Sequence, residues 1–219
     1  MKHSVRVVAL KAALSMFLLQ AQETYVYYDQ VAPWPGHPEA PGLVERSWRI
    51  TGEAGAQFSQ SFTPFLNCID FIDLQVEDVH GDGLSPKAYL VLRAQSVDGP
   101  IIASTDPVTI ADGYMYQQGN WMRFTFPQRV RILAYHTCYF QPMVEPGTGA
   151  YKVYGNISAY TAGMSFIGTK PDYAYDMFFR EGLIEIVPAI PEPSTVALAL
   201  AGLPALAWAM RKHSRPSLR

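Results

Sequence analysis

The sequence predicts an all-β protein whose main domain is an antiparallel β-sandwich with a jelly-roll-like arrangement of strands. Short runs alternate between apolar and polar residues, and no stretch between Glu23 and Val187 shows a sustained period of 3.6 residues. The chain contains 17 prolines and 16 glycines, which supply frequent turns. Its 13 tyrosines, 11 phenylalanines and 4 tryptophans favour strands and could fill a β core.

Strands are predicted from Gln57 onward, because the preceding run from Pro33 to Gly42 is too rich in proline and glycine for regular structure. The predicted strands are Phe58–Phe62, Ile69–Val76, Ala88–Arg93, Ile101–Ala103, Trp121–Phe126, Val130–Leu133, Thr137–Val144, Ala150–Tyr154, Tyr175–Arg180 and Leu183–Val187. Alternation within the fifth of these places Met122, Phe124 and Phe126 on the core face.

One predicted strand is irregular. Ile72, Leu74 and Val76 share a face, but Ile69 and Phe71 have the opposite parity. This pattern indicates a β-bulge or burial on both faces near Phe71.

The composition and net charge of the chain, together with the absence of known catalytic motifs, argue against some classes of function. The 219-residue chain has a net charge of −2, and no lysine- or arginine-rich run lies in its central region, so nucleic acid is not an expected partner. The sequence contains no nucleophile elbow, no HExxH zinc motif and no phosphate-binding glycine loop. We therefore expect no enzymatic activity, no catalytic residues and no catalytic metal. A pair of carboxylates for glycoside cleavage stays open as an alternative, because such pairs form in space and leave no sequence motif.

The N-terminus is typical of a secretory signal peptide over residues 1–21. Lys2 and Arg6 form a positive region, an apolar stretch runs to Leu19, and Ala21 supplies a small residue at the expected cleavage point. A first amphipathic helix of the domain is the alternative, since Lys11 interrupts the apolar stretch. Export by the secretion machinery is the interpretation that agrees with the other end of the chain.

The C-terminus predicts a short transmembrane helix. Ser194 to Met210 carries no charge, and its seventeen residues would span roughly 25 Å as a helix, slightly short of the ~30 Å hydrocarbon core of a bilayer. A buried helix of a globular domain is the alternative, but it would not need a cluster of cations directly after it. Four basic residues follow, at positions 211, 212, 215 and 219. The positive-inside rule places this basic tail in the cytoplasm and the preceding domain across the membrane.

Pro191-Glu192-Pro193, the apolar helix and the basic tail together resemble the PEP-CTERM sorting signal of Gram-negative bacteria. The resemblance covers residues 189–219. It implies transient anchoring in the inner membrane, cutting near the motif by an exosortase-type membrane transpeptidase, and release to the cell surface or extracellular matrix. The prolines keep the motif extended and outside the helix, as a protease requires.

The region between the two signals divides into a proline- and glycine-rich segment, residues 22–56, and the β-sandwich domain, residues 57–188. The domain is similar to the β-sandwich of bacterial choice-of-anchor surface proteins. The stretches that carry this resemblance are Gln60–Pro64, Ile102–Thr105, Trp121–Phe124, Tyr160–Met164 and Asp176–Arg180. The resemblance implies a fold and no particular activity.

Cys68 and Cys138 are the two cysteines of the chain, and both fall in predicted strands. An oxidising compartment allows a disulfide between them, whereas two free, buried thiols are the alternative. Parity places Cys68 with Ile72 and Leu74 and places Cys138 opposite Tyr139, a predicted core residue.

Two further groups are candidates for binding. Glu77, Asp78, His80 and Asp82 form an acidic turn that could hold a structural Ca²⁺, although a solvated acidic turn is the commoner explanation of such a pattern. Aromatic residues in loops or at strand edges could stack on a sugar ring; these are Trp34, Trp48, Tyr114, Tyr116 and Tyr160. Tyr114 and Tyr116 are the preferred ligand-binding candidates, because their loop also carries amide donors.

The sequence therefore predicts an exported protein of the bacterial surface or matrix with a non-enzymatic, structural or adhesive role in exopolysaccharide. A carbohydrate-binding module for matrix polysaccharide is the first alternative, and a matrix hydrolase is the second.

Overall fold

The structure, a computed structural model, describes residues 22–32, 46–52, 57–79, 81–116, 120–157 and 160–188. The predicted signal peptide, the Pro191-Glu192-Pro193 motif, the predicted transmembrane helix and His80 lie outside these residues. Contacts divide the chain into a main unit, Val26–Ile184, and a second unit that joins Met1–Tyr25 to Glu185–Arg219. Within the described ranges, no helix is long and apolar enough to cross a membrane.

All regular structure in the described residues is β. The strands are β1 (Gln22–Val31), β2 (Arg46–Thr51), β3 (Phe58–Phe62), β4 (Cys68–Leu74), β5 (Val76–Asp78), β6 (Lys87–Ala94), β7 (Ile101–Ser104), β8 (Val108–Thr109), β9 (Met122–Arg131), β10 (Cys138–Val144), β11 (Ala150–Ile157), β12 (Ser165–Ile167), β13 (Lys170–Asp172), β14 (Tyr175–Met177) and β15 (Phe179–Pro188). The all-β prediction is confirmed.

The strands form three sheets. Sheet I has the order β1-β15-β4-β9. Sheet II has the order β13-β12-β3-β10-β6-β7, with β8 also paired to β6. Sheet III has the order β14-β11-β2, with β5 also paired to β11. The pairs β4–β9, β4–β15, β3–β10, β6–β10 and β2–β11 are antiparallel, consistent with the predicted β-sandwich.

Sheets I and III are joined where β4 and β15 separate. These strands pair as far as Leu74 opposite Phe179, and their chain neighbours β5 and β14 then both pair with β11. Tyr154 of β11 lies at this junction. Its N–H donates to the carbonyl of Gln75 at 3.0 Å, and its carbonyl accepts from the N–H of Phe178 at 2.9 Å, both distances typical of a sheet ladder. The backbone of one residue thus satisfies the polar groups left free by two diverging strands.

One hydrophobic core lies between the sheets. Sheet I contributes Ile72, Leu74 and Phe124, all fully buried. Phe140 and Leu92 come from sheet II, and Trp48, Val153 and Met177 come from sheet III. The predicted inward face of β9 is confirmed, because Phe124 and Phe126 are buried and Met122 packs against the same core.

The predicted irregularity in β4 is also confirmed. Ile69 pairs with Val130, but Phe71 pairs with Thr125, so residues 126–129 of β9 lie opposite the single residue Asp70. This bulge lets Ile69 face the core together with Ile72 and Leu74.

Several elements were not predicted. β1 and β2 lie in the segment expected to be irregular, and the short strands β12 and β13 extend sheet II. β9 is one continuous strand where two were expected, and the run Tyr175–Arg180 is divided at Phe178 between two sheets.

Candidate functional site

The loop that carries Tyr114 and Tyr116 is attached to β5 by two carboxylates. The N–H of Asp78 donates to the carbonyl of Tyr114 at 2.8 Å, and Asp78 Oδ2 accepts from the N–H of Gly113 at 2.9 Å. Glu77 Oε2 accepts from the N–H of Tyr116 at 3.1 Å. Acidic side chains of the predicted calcium turn therefore fix the backbone of the predicted binding loop.

Both tyrosine rings of this loop take part in the fold. Tyr114 is half-buried and packs against the core. Tyr116 stacks on Tyr154 with ring centroids 4.0 Å apart and ring planes 14° apart. Their contact with polysaccharide stays a prediction. Two other aromatic candidates, Trp48 and Tyr160, are buried in the core at 1% and 7% exposure, so neither presents a ring face to a ligand.

The acidic turn has an electrostatic partner of its own. Lys152 Nζ donates to Glu77 Oε1 at 2.7 Å, and the hydroxyl of Tyr154 donates to Glu77 Oε2 at 3.0 Å. Burial alone would raise the pKa of Glu77, but these hydrogen bonds and the one from Tyr116 lower it below its usual range. Asp82 accepts from the N–H of Leu84 at 2.9 Å. Within the described ranges, no three metal-ligating side chains converge.

Cys68 and Cys138 are free thiols in the structure, and a disulfide between them after export stays a prediction. The predicted orientations of both cysteine side chains relative to the core were wrong. The β4 bulge places Ile69 in the core, and Cys68 is half-buried with its thiol donating to Asn67 Oδ1 at 3.5 Å. Cys138 is buried in the core, whereas Tyr139 is half-buried against Phe166.

The two thiols are expected to differ in reactivity. Burial, followed by the nearby charge of Glu181, raises the pKa of Cys138 to about 11, so little reactive thiolate forms near neutral pH. Iodoacetamide should therefore label Cys68 before Cys138 in the native protein, with equal labelling in denaturant. Peptide mass spectrometry over a time course measures this order. Faster labelling of Cys138 than of Cys68 would contradict it.

The outer face of sheet I carries a cluster of arginines around one buried carboxylate. Asp73 is 1% exposed and accepts from Arg123 at 2.8 and 3.0 Å and from Arg180 at 2.8 Å. The Arg180 guanidinium lies between two aromatic rings, 4.5 Å from the centroid of Tyr28 and 4.3 Å from that of Trp121. These contacts join all four strands of the sheet and explain how a charged residue is accommodated in β4.

A buried polar cluster lies where β1, β15 and the segment before β12 meet, and nothing in the sequence indicated it. The Tyr160 hydroxyl donates to Gln30 Oε1 at 3.1 Å, and Asp29 Oδ2 accepts from the backbone N–H groups of Phe65 and Leu66 at 2.8 and 2.9 Å. Glu181 is fully buried, and neither of its oxygens meets a protein donor.

The environment of Glu181 keeps that carboxyl protonated. Burial, then the negative charge of Asp29, then a hydrogen bond from the protonated form to Asp29 raise the pKa of Glu181 to about 9. When Glu181 ionises at higher pH, its negative charge adds to the effect of burial and raises the pKa of Tyr160.

A groove runs along one side of the main unit between β7, the end strand of sheet II, and β9, the end strand of sheet I. It consists of two adjoining cavities of ≈ 430 and ≈ 510 Å³ that share Ile102 and Arg131 in their walls. The larger cavity is also lined by Gln95, Leu133 and His136.

Two residues at this groove have an unusual backbone conformation. Gln95 has φ 70° and Tyr135 has φ 63°, and they are the non-glycine residues with positive φ in the described part of the chain. Such a conformation costs about 1–3 kcal/mol at each residue and is often found at functional sites. The Tyr135 ring is 72% exposed and contacts Phe65, with ring centroids 5.8 Å apart.

No protein-family model matches this sequence, and no curated protein matches it. Among solved structures, the chain is similar to one titled as the structure of infectious bursal disease virus, Gx strain, with 13% identity, a TM-score of 0.24, and coverage of 85% of this chain and 49% of that chain. A VP2 mutant of the same virus has 14% identity and a TM-score of 0.18, with 80% of this chain and 39% of that chain covered. The chain thus spans about half or less of the length of these proteins, and TM-scores this low carry no argument about fold or function.

Proposed function

We propose that this chain is an exported bacterial protein, sorted through a C-terminal PEP-CTERM signal and released to the cell surface or extracellular matrix. Its jelly-roll-like β-sandwich has a structural or adhesive role there and catalyses no reaction. The observation that carries the proposal is the order of three features at the end of the chain: Pro191-Glu192-Pro193, an uncharged stretch and a basic tail.

The end of the folded domain fits this order. The last strand, β15, ends at Pro188, and two residues separate it from Pro191. Cutting near the motif would therefore remove the uncharged stretch and the basic tail and leave every strand of the three sheets in the released product. A protease acting on an extended, proline-fixed peptide needs no unfolding of a sheet to reach it.

The contacts of the described polar residues support a structural role. Asp73 and Glu77 are each committed to ion pairs with cationic side chains, and Asp29 accepts two backbone N–H groups. Tyr116 and Tyr154 stack on one another. These groups hold loops and strands in place, as expected of a domain whose task is to remain folded outside the cell.

Replacement of the motif by Pro191→Ala, Glu192→Ala and Pro193→Ala together is expected to block processing, so that full-length chain accumulates in the inner membrane. Immunoblots of membrane and matrix fractions with a domain-specific antibody measure the distribution. Pro188→Ala, which lies three residues before the motif, is the matched control and should leave processing unchanged. Release of the triple variant at the natural length would refute the role of the motif.

A further inference from the structure

We infer that the groove between β7 and β9 binds a chain of an acidic polysaccharide, a binding that rests on the export proposed above because such a polymer is met outside the cell. The groove is formed by the two adjoining cavities of ≈ 430 and ≈ 510 Å³ that share Ile102 and Arg131. Two adjoining cavities that share two wall residues provide a continuous surface on which successive units of a polymer could lie.

The charge of the groove selects an anion. Arg131 lines both cavities, His136 the larger and Arg129 the smaller, and no aspartate or glutamate is among the described residues that line them. Arg129 is held by Asp70 at 2.8 Å, whereas Arg131 is exposed and makes no ion pair within the described ranges. This local excess of cations occurs in a chain whose net charge is −2. Arginine is suited to carboxylates because its planar fork of donors matches their two oxygens.

The remaining lining residues match the surface of a sugar. Gln95 and Thr137 in the larger cavity and Gln128 in the smaller one offer polar groups for hydroxyls. Ile102 and Leu133 are 40% and 67% exposed and offer apolar contact to the C–H face of a sugar ring. Tyr135 lines neither cavity, but it lies in the turn between Leu133 and His136, where its 72% exposed side chain adds an aromatic surface next to the larger cavity.

The backbone at the groove supports a binding role over a structural one. Gln95 lies on one wall and Tyr135 in the turn that forms another, and both have positive φ although neither is glycine. The N–H of Tyr135 donates to the carbonyl of Pro64 at 2.7 Å, which fixes the turn. A left-handed conformation is costly for a bulky residue, and the contact with Phe65 still leaves 72% of Tyr135 exposed, so a role at the surface is consistent with its presence.

Affinity electrophoresis of the full chain in mild detergent tests this binding, with polygalacturonate, dextran or poly-glutamate embedded in the gel. We expect retardation by polygalacturonate, weakening as salt is added, and none by neutral dextran. Equal retardation by poly-glutamate would show a site that accepts any polyanion and would overturn the assignment to a sugar chain. Absence of retardation by polygalacturonate would overturn the inference altogether.

Three variants locate the site. Arg131→Ala should weaken binding of polygalacturonate by about tenfold or more, because a charge-assisted hydrogen bond is lost. Arg49→Ala removes an exposed arginine of β2 and is the matched control, with binding unchanged. Tyr135→Gly relieves the positive φ and removes the ring, so it should keep the melting temperature while weakening binding. Unchanged binding in Arg131→Ala and Tyr135→Gly would place the polymer elsewhere. These results are separate from the length and location of the processed chain, which test export alone.

Discussion

Glu181→Gln is expected to remove the loss of stability that ionisation of Glu181 causes as pH rises from about 4.5 to about 9. The pKa of Glu181 is raised from 4.5 to about 9 in the folded state, chiefly by burial. Between these values the folded state holds a proton that the unfolded state has released. The contribution of Glu181 is therefore fully present below pH 4.5 and is lost as pH rises to about 9.

The size of this change in stability follows from the linkage between proton binding and folding. Each pH unit in the window lowers the free energy of unfolding by about 1.4 kcal/mol, which amounts to roughly 6 kcal/mol across the whole window. Glutamine has nearly the shape of a protonated glutamate and takes up no proton. At about pH 8 the variant should be more stable than the natural chain by roughly 4–5 kcal/mol, and at about pH 4 the two should be similar.

Urea unfolding of both proteins at a series of pH values measures the difference. Glu185→Gln removes an exposed glutamate from the same strand and is the matched control, with a profile that follows the natural chain. Parallel pH profiles for the natural chain and Glu181→Gln would contradict the description of Glu181 as a buried, protonated group.

Gly182→Ala is expected to displace β1 from β15. A Cβ at position 182 would overlap the carbonyl oxygen of Tyr27 and lie 3.0 Å from the Cα of Tyr28. Both contacts are with backbone atoms of the neighbouring strand, which cannot rotate away as a side chain could. We expect a loss of about 3 kcal/mol in the free energy of unfolding, at the upper end of the usual cost of overpacking.

The displacement should be local as well as costly. β1 carries Asp29 and Gln30 into the buried polar cluster, so moving this strand also disturbs the neighbours of Glu181. Hydrogen exchange should rise at residues 26–31 in Gly182→Ala. Gly147→Ala is the control, because its added Cβ meets nothing within 4 Å although φ is +78°, and it should leave exchange in β1 unchanged. Natural exchange rates in β1 of Gly182→Ala would refute the close approach of these two strands.

Alternation of apolar and polar residues predicted much of the main unit. It placed Phe124 and Phe126 in the core and located the irregularity beside Phe71, because side chains of a strand alternate between two faces and a break in that pattern requires an extra residue. It did not show that the extra residues belong to β9, and for this reason the orientation of Cys68 was predicted wrongly.

The strands that were missed have a physical explanation. β1 and β2 flank a stretch rich in proline and glycine, and because of that composition the β-sandwich domain was predicted to begin after both strands. The strong strand propensity of Tyr25, Val26, Tyr27 and Tyr28 was therefore not used. Tyr175–Arg180 was predicted as one strand, because the change of sheet at Phe178 depends on pairing with Tyr154 of a distant strand. The local sequence around Phe178 does not indicate which distant strand it pairs with.

The polar sites were the least predictable part. Glu181 is followed by Gly182 and Leu183 like any glutamate of an exposed strand, and its burial depends on β1, β10 and the segment around Tyr160 converging on it. The same holds for Arg131, whose neighbours in the groove come from β6, β7 and the turn after β9. Tyr114 and Tyr116 were predicted as binding residues from the composition of their loop. Glu77 and Asp78, which hold this loop, were predicted instead to be calcium ligands.

The central claim is that the chain is exported and then cut at its C-terminal motif, and the intact mass of the protein recovered from the matrix of its host tests this most directly. We predict a mass that lacks residues 1–21 and everything after about Pro193, so that the three sheets are released without the basic tail. A mass that still includes Trp208 to Arg219 would contradict release and would leave a protein held at the inner membrane by its C-terminal segment.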